Sequence, residues 1–455
     1  MAPTPISFWF CTNIKKPRSF SLLSGIILAE SKQPETNSFI IPYFGWKNVL
    51  KHCASAFTLP CGTVLTNRIA KSALSENIGS YSHAPTPTLI QAYRVWASGH
   101  PGLLITGNIM VDKRALGEPR NVVVEDYTHF DQLQEWANAV KGTEVHLWPQ
   151  INHPGRQAFS WINKEVVAPS KVSIKLGGAS WLFREPKPLE EFEIWEIIKR
   201  FGNTARICKE AGFTGCQIHG AHGYLVSQFL SPLTNQRNDQ WGGSLVNRAR
   251  FVVEIYKEIR KQVGPKYPIG IKINSADFQR GGFDELESMQ VVEILSQLGM
   301  DLIEISGGTY ERPTMVKGNR KKSTEEREAY FLDYIEKVRQ KTDKPLMLTG
   351  GFRTVSVMET ALANQKVDIV GLGRPFCLYP QLAQDIFKEK KSHFSTPIPK
   401  IGVPLLDRIG GVELPWYEMQ IQRLGEGQKP DPKLSGLRVF GTTISRLIRK
   451  SFQKN

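Results

Sequence analysis

The sequence predicts a single (β/α)8 barrel with an N-terminal extension and a loop-rich C-terminal tail. Three observations predict it. From residue 61 to about 390, short apolar runs alternate with longer helical patterns. Eight such runs occur, several with Ile, Leu and Val on consecutive positions, as expected of strands covered on both faces. Glycines punctuate the ends of the later runs, where barrels carry their ligand-binding loops. A doubly wound sheet accommodates the same alternation.

The strand candidates are Val64–Lys71, Gly102–Gly107, Val145–Ile151, Gly215–His219, Ile269–Asn274, Leu302–Ser306, Leu346–Thr349 and Ile369–Gly371. Helices are expected between them. Leu189–Ala211 opens with Glu190, Glu191 and Glu193, whose charge favours a helix N-terminus. Leu245–Val263, Asp284–Gln297, Thr324–Lys341, Val355–Asn364 and Gln381–Lys390 follow the later strands. Residues 153–188, with Pro154, Pro169, Gly177, Gly178, Pro186 and Pro188, form a long insertion after the third strand, a position suited to a lid.

Beyond residue 391 the alternation stops, and Pro397, Pro399, Pro404, Pro430 and Pro432 mark loops. The last stretch, Leu437–Phe452, interleaves Arg438, Arg446, Arg449 and Lys450 with Leu437, Phe440, Ile444, Leu447, Ile448 and Phe452. Such a basic amphipathic helix docks on the barrel or lies on a membrane surface. The expected division is an extension over residues 1–58, the barrel over 59–390 and a C-terminal extension over 391–455.

The chain has 455 residues and a net charge of +15. Hydrophobic residues are 41% and charged residues 22%, which excludes a wholly disordered or collagen-like chain. Taken alone, the charge points to nucleic acid or an anionic membrane. Its distribution argues otherwise. Residues 1–60 hold six basic and two acidic residues, and residues 379–455 hold 13 and seven, so two-thirds of the excess lies in the tails. No run of about 18 apolar residues occurs, so no transmembrane helix is expected. The six cysteines show no C-x-x-C spacing, which leaves no evident metal ligand set and favours a reducing compartment.

Residues 1–29 lack Asp and Glu but carry Lys15, Lys16 and Arg18. A cytoplasmic protein with an untargeted extension is expected, with mitochondrial import as the alternative. A secretory signal fits less well, because Ile27 and Ala29 do not make a small-x-small cleavage site.

The chemistry-bearing signal is Ile218-His219-Gly220-Ala221-His222-Gly223-Tyr224, directly after the fourth strand candidate. Both imidazoles can donate to one oxygen, and the phenol can act as an acid beside them. A His-x-x-His pair also suits a metal, but no third ligand stands out. A core histidine satisfied by backbone is the plain alternative. Ser306-Gly307-Gly308, Gly350-Gly351 and Gly371-Leu372-Gly373-Arg374 end strands six, seven and eight. Backbone N–H groups of such loops bind phosphate, and Arg374 adds a bidentate charge. Gln150, in Gln150-Ile151-Asn152-His153-Pro154-Gly155-Arg156, faces the barrel mouth from strand three. Lys272 sits inside the apolar run Ile269–Asn274, where an unpaired charge is costly. A salt bridge to a neighbouring strand or an anionic ligand would each explain it.

Together these motifs resemble the old yellow enzyme family, in particular its NADH:flavin oxidoreductase/NADH oxidase-like branch. The similarity runs from about Leu59 to Leu382. Its most specific part is GFTGCQIHGAHGYLVSQFLSPLTNQRNDQWGGSLVNRARF, Gly212 to Phe251. LTNRIAKSALSE, GLLITGN, QINHPGR, GIKINSADF, EISGG, LTGGFRT and VGLGRPF occur in order around it. The resemblance implies a TIM barrel binding FMN across its C-terminal mouth, with NADH or NADPH as electron donor. It implies that Ser72, Ala73, Leu74 and Ser75 line the flavin and that Asn108 and Gln150 sit at its ring edge. Lys272 would lie near flavin N1 and O2. Ser306, Gly307, Gly308, Gly350, Gly351, Gly373 and Arg374 would hold the ribityl phosphate. His219 and His222 match the pair that binds a substrate carbonyl oxygen, and Tyr224 matches the proton donor.

The implied activity is reduction of an activated alkene, an α,β-unsaturated carbonyl compound of enone type. The expected partners are therefore this small molecule and a possible second copy of the chain, with neither nucleic acid nor a metal. Two other classes compete. A flavin barrel acting on RNA, similar to a dihydrouridine synthase, fits the charge but typically uses a cysteine acid, and no cysteine lies in the loop after His222. A catalytically idle barrel scaffold is opposed by the intact His219, His222 and Tyr224 set.

Overall fold

The computed structural model describes residues 50–307, 332–402 and 412–452. Eight parallel strands close into a barrel: β1 (Ile69–Lys71), β2 (Leu103–Met110), β3 (His146–Asn152), β4 (Cys216–Gly220), β5 (Ile269–Asn274), β6 (Leu302–Ser306), β7 (Leu346–Thr349) and β8 (Ile369–Leu372). Each pairs with the next, and β8 returns to β1, so the barrel itself is closed, with a short ninth strand, Val122–Val123, added outside it on β2. The doubly wound alternative is thereby excluded.

The strands are buried almost throughout, which is why their apolar residues run on without alternation. Their inner side chains supply Ala70, Leu103, Ile105, Trp148, Leu302, Met347 and Ile369 to a separate apolar cluster with Leu59 and Leu65. That cluster fills the barrel below its mouth. The outer side chains pack under the helices α1 (Pro87–Ala97), α2 (Phe130–Ala137), α3 (Glu191–Ala211), α4 (Leu225–Leu230), α5 (Leu245–Val263), α6 (Glu285–Leu298), α7 (Leu332–Arg339), α8 (Val355–Ala363), α9 (Arg374–Leu378) and α10 (Leu382–Phe387). The acidic start expected for α3 is a capping box: Glu190 and Glu193 each accept from the other's backbone N–H.

The first strand is shorter than the run Val64–Lys71 suggested. Val64–Leu65 instead pairs antiparallel with Phe57–Thr58. Asn67 makes the break, because its Oδ1 accepts from the N–H groups of Ile69 and Gly102 at 3.1 and 2.8 Å. A local side-chain bond of this kind competes with the ladder.

The tail is less loop-rich than its prolines implied. It holds α11 (Glu413–Gly425) and α12 (Gly436–Phe452). Trp416, Tyr417, Ile421 and Leu424 bury one face of α11, and the helix packs against α1 and α9. Pro430 and Pro432 follow this helix, and Pro415 lies in its first turn, where a proline is tolerated. The insertion 153–188 carries a short parallel pair, Val167–Ala168 with Lys187–Pro188, and a 3-10 helix at Gly177–Leu182. Among the described residues no helix is long and apolar enough to cross a membrane.

Candidate active site

His219 ends β4 inside the mouth, in register with Lys272 on β5, which is in register with Glu304 on β6. The chain then turns through His222, a non-glycine residue at φ +60°. That conformation costs about 1–3 kcal/mol and persists only where its surroundings over-determine it. Three bonds do so. The His222 N–H donates to Asn274 Oδ1 at 3.1 Å, its carbonyl accepts from Gln157 Nε2 at 2.9 Å, and its Nε2 lies 2.8 Å from Ser306 Oγ. Tyr224 follows as the N-cap residue of α4. The His219 ring centroid is 5.2 Å from that of His222 and 4.7 Å from that of Tyr224. Asn108 Nδ2 donates to the Tyr224 hydroxyl across 3.5 Å.

Both imidazoles are held neutral. Burial pushes His219 well below its ordinary value, reinforced by His222 and Lys272. Burial, then Lys272, lowers His222 to about 3. A neutral imidazole keeps one N–H to donate and does not compete as a cation. His219 Nδ1 and Asn108 Oδ1 are buried without a protein partner. Buried polar atoms are rarely left so unless a ligand or water completes them.

The remaining predicted positions divide into three groups. Ser72, Gln150 and Lys272 are joined through Glu304. Lys272 Nζ is 3.0 Å from Glu304 Oε1, the salt bridge to a neighbouring strand. Thr349 Oγ1 donates to Glu304 Oε1 at 2.6 Å and lies 2.6 Å from Ser72 Oγ. Gln217 Nε2 donates to Glu304 Oε2 at 2.7 Å, and Gln150 Nε2 donates to Gln217 Oε1 at 2.7 Å. A second group is tied to the tail. Ser75 bonds Glu118 and, at 3.2 Å, Glu418 of α11, while Arg374 pairs with Glu413 at the start of that helix. Glu118 and Glu418 interact directly, and burial raises both above the usual carboxylate range. The third group offers backbone or apolar surface. Ala73 and Leu74 are half-buried after β1, Gly307 follows β6, and Gly373 caps α9. Gly350 and Gly351 follow β7 at φ +136° and +90°, a region that favours glycine. Gly308 lies outside the described residues, as does most of the loop after it.

Comparison with known proteins decides the family. The family model for the NADH:flavin oxidoreductase / NADH oxidase family matches residues 59–393. The chain belongs to that family. It is 36% identical over 388 residues to an NADH-dependent flavin oxidoreductase, iliE, of Hypocrea jecorina (strain QM6a), covering 79% of this chain and 96% of the relative. It is 30% identical over 306 residues to an NADPH dehydrogenase of Geobacillus sp. (strain WCH70), covering 67% and 85%. Among solved structures, an old yellow enzyme homologue from Zymomonas mobilis shares the fold with a TM-score of 0.66 at 22% identity, over 75% of this chain and 94% of that one. The protein is thus an NAD(P)H-dependent flavin oxidoreductase of the old yellow enzyme type, with FMN as cofactor and NADH or NADPH as electron donor.

The mouth of this oxidoreductase suits that cofactor. The orphaned Asn108 Oδ1 and His219 Nδ1 are polar atoms awaiting a partner. Gly371 keeps β8 flush with its neighbours, since a Cβ there would lie 2.0 Å from Thr349 Oγ1 and 2.6 Å from Ser72 Oγ. Arg374 spends Nη1 on Glu413, and a guanidinium retains further N–H donors for a phosphate.

Several residues of the site escape sequence reasoning. Glu304 sits between Ile303 and Ile305, and Gln217 between Cys216 and Ile218, and buried polar groups inside apolar strands were a usable signal. The same signal marks Lys71, fully buried on β1, whose Nζ donates to Ile105 O at 3.0 Å and lies 4.0 Å from Glu76 Oε1. Burial lowers Lys71 to about 8, against the pull of Glu76. Glu413 and Glu418 carry no such signal, because only the fold brings α11 to the mouth.

Proposed function

We propose that this oxidoreductase reduces the activated carbon–carbon double bond of an α,β-unsaturated carbonyl compound. One observation carries the proposal: two neutral imidazoles and a phenol face one another at the end of β4, with one imidazole nitrogen unpartnered. Bound FMN, reduced by NADH or NADPH, supplies the hydride. His219 and His222 donate to the carbonyl oxygen of the substrate and stabilise the negative charge that gathers there, as an oxyanion hole does. Their neutrality suits this task, since each retains its N–H over the physiological range. Tyr224 donates a proton to the α carbon, and Asn108 orients its hydroxyl. Under the same proposal Ser72, Ala73, Leu74, Ser75, Asn108, Gln150 and Lys272 contact the ring system. Ser306, Gly307, Gly308, Gly350, Gly351, Gly373 and Arg374 hold the phosphate. The insertion 153–188 covers the substrate, anchored where Gln157 meets the His222 carbonyl.

The test is reoxidation of the anaerobically reduced protein. Enones should reoxidise it and be recovered as saturated ketones, whereas alkenes without a conjugated carbonyl should not. Reoxidation by oxygen alone, with no saturated product from any enone, would refute the proposal.

A further inference from the structure

Glu304 carries no assigned role, yet it joins three polar side chains of the mouth. It is fully buried at the centre of β6. Its two oxygens accept from Lys272, Thr349 and Gln217. Through Thr349 it reaches Ser72, and through Gln217 it reaches Gln150. Proposed cofactor contacts just after β1 and on β3 and β5 are therefore coupled to one carboxylate.

The chemistry of the donors makes this coupling directional. A carboxylate only accepts hydrogen bonds, whereas an amide side chain has one accepting and one donating end. Glu304 therefore forces Gln217 to turn its NH2 towards β6. Gln217 then presents its oxygen to β3, and Gln150 must answer with its own NH2. The Gln150 carbonyl oxygen is left as the acceptor at the far end of the chain. With a neutral amide at position 304 this ordering loses its fixed end, and both glutamines are free to reverse.

The same carboxylate balances charge. Lys272 and Glu304 are both buried, and removing one partner of such a pair leaves an uncompensated charge in a low-dielectric interior. We infer that Glu304 is a positioning residue: it fixes the amide direction of Gln150 through Gln217 and sets the net charge at Lys272, and so tunes both the grip on FMN and its reduction. The inference rests on FMN lying against Lys272 and Gln150.

Two variants separate the two effects. Glu304→Gln removes the negative charge beside Lys272, so the two-electron reduction of bound FMN should become at least about tenfold more favourable, an upward shift of about 30 mV. Spectroelectrochemical titration of the loaded protein reads this directly. Gln217→Leu keeps the ion pair but cuts the chain to Gln150. It should weaken FMN binding at least about fivefold, read by flavin fluorescence, while the midpoint stays within about threefold in equilibrium constant. A Glu304→Gln protein that holds FMN with an unmoved or lowered midpoint overturns the charge role. Gln217→Leu binding FMN as tightly as wild type overturns the directional role, and decides the matter alone if Glu304→Gln does not fold. Wild-type protein that binds no FMN would instead sink the cofactor assignment on which both arms depend.

Discussion

Replacing Tyr224 by Phe removes one hydroxyl and leaves the ring that packs 4.7 Å from His219. The bond it accepts from Asn108, at 3.5 Å, is longer than an ordinary hydrogen bond, so losing that bond should cost less than about 1.5 kcal/mol of stability. The fold and the cofactor site should therefore survive. A positioned general acid contributes about 10²–10⁴ in rate, or about 3–5 kcal/mol of barrier. Reoxidation of reduced Tyr224→Phe protein by an enone should slow by that factor. Its reduction by NADH or NADPH, which needs no such acid, should stay within about threefold of wild type. Anaerobic stopped-flow spectroscopy of each half-reaction separates the two. Equal losses in both half-reactions would refute the assignment, since they would show that Tyr224 shapes the mouth rather than donating a proton.

The Glu118 and Glu418 pair makes the docking of α11 depend on pH. Both groups are raised in the folded protein, so their contribution is complete below the ordinary value of 4.5 and is lost as pH rises through the raised values. For one retained proton the local opening constant of α11 should climb up to about tenfold per pH unit above that value. Glu418→Gln should flatten this slope in amide hydrogen exchange of residues 413–425, and parallel slopes in the two proteins would contradict it. Gly371→Ala places a Cβ 2.0 Å from Thr349 Oγ1 and 2.6 Å from Met347 Cε. It should cost about 1–3 kcal/mol and lower FMN retention, as thermal unfolding and flavin content would show. Wild-type values in both would mean that the mouth tolerates a filled cradle.

Much of the barrel is legible in the sequence because its strands are buried on both faces. Runs such as Ile269–Asn274 and Leu302–Ser306 announce themselves without alternation. The first strand misleads because Val64 and Leu65 look continuous with Ile69, while the side chain of Asn67 ends the ladder between them. In the tail, the proline clusters hide α11, whose burial depends on α1, more than 300 residues earlier. The histidine motif was readable because it lies within one strand end and the turn that follows it. The polar network was not, since Gln150, Gln217, Lys272, Glu304 and Thr349 come from five strands and meet only on barrel closure. Arg374 is proposed from its sequence position as a phosphate ligand, but its pairing with Glu413 was not readable there, because that carboxylate arrives from the tail.

The central claim is that this mouth binds FMN and passes it electrons from a nicotinamide. Anaerobic titration of the purified protein with NADH and with NADPH tests it most directly. The protein should be yellow, release about one FMN per chain on denaturation, and lose its visible flavin band with at least one of the two donors. A folded protein that stays colourless after incubation with FMN, or a flavin band that neither donor bleaches, would contradict it.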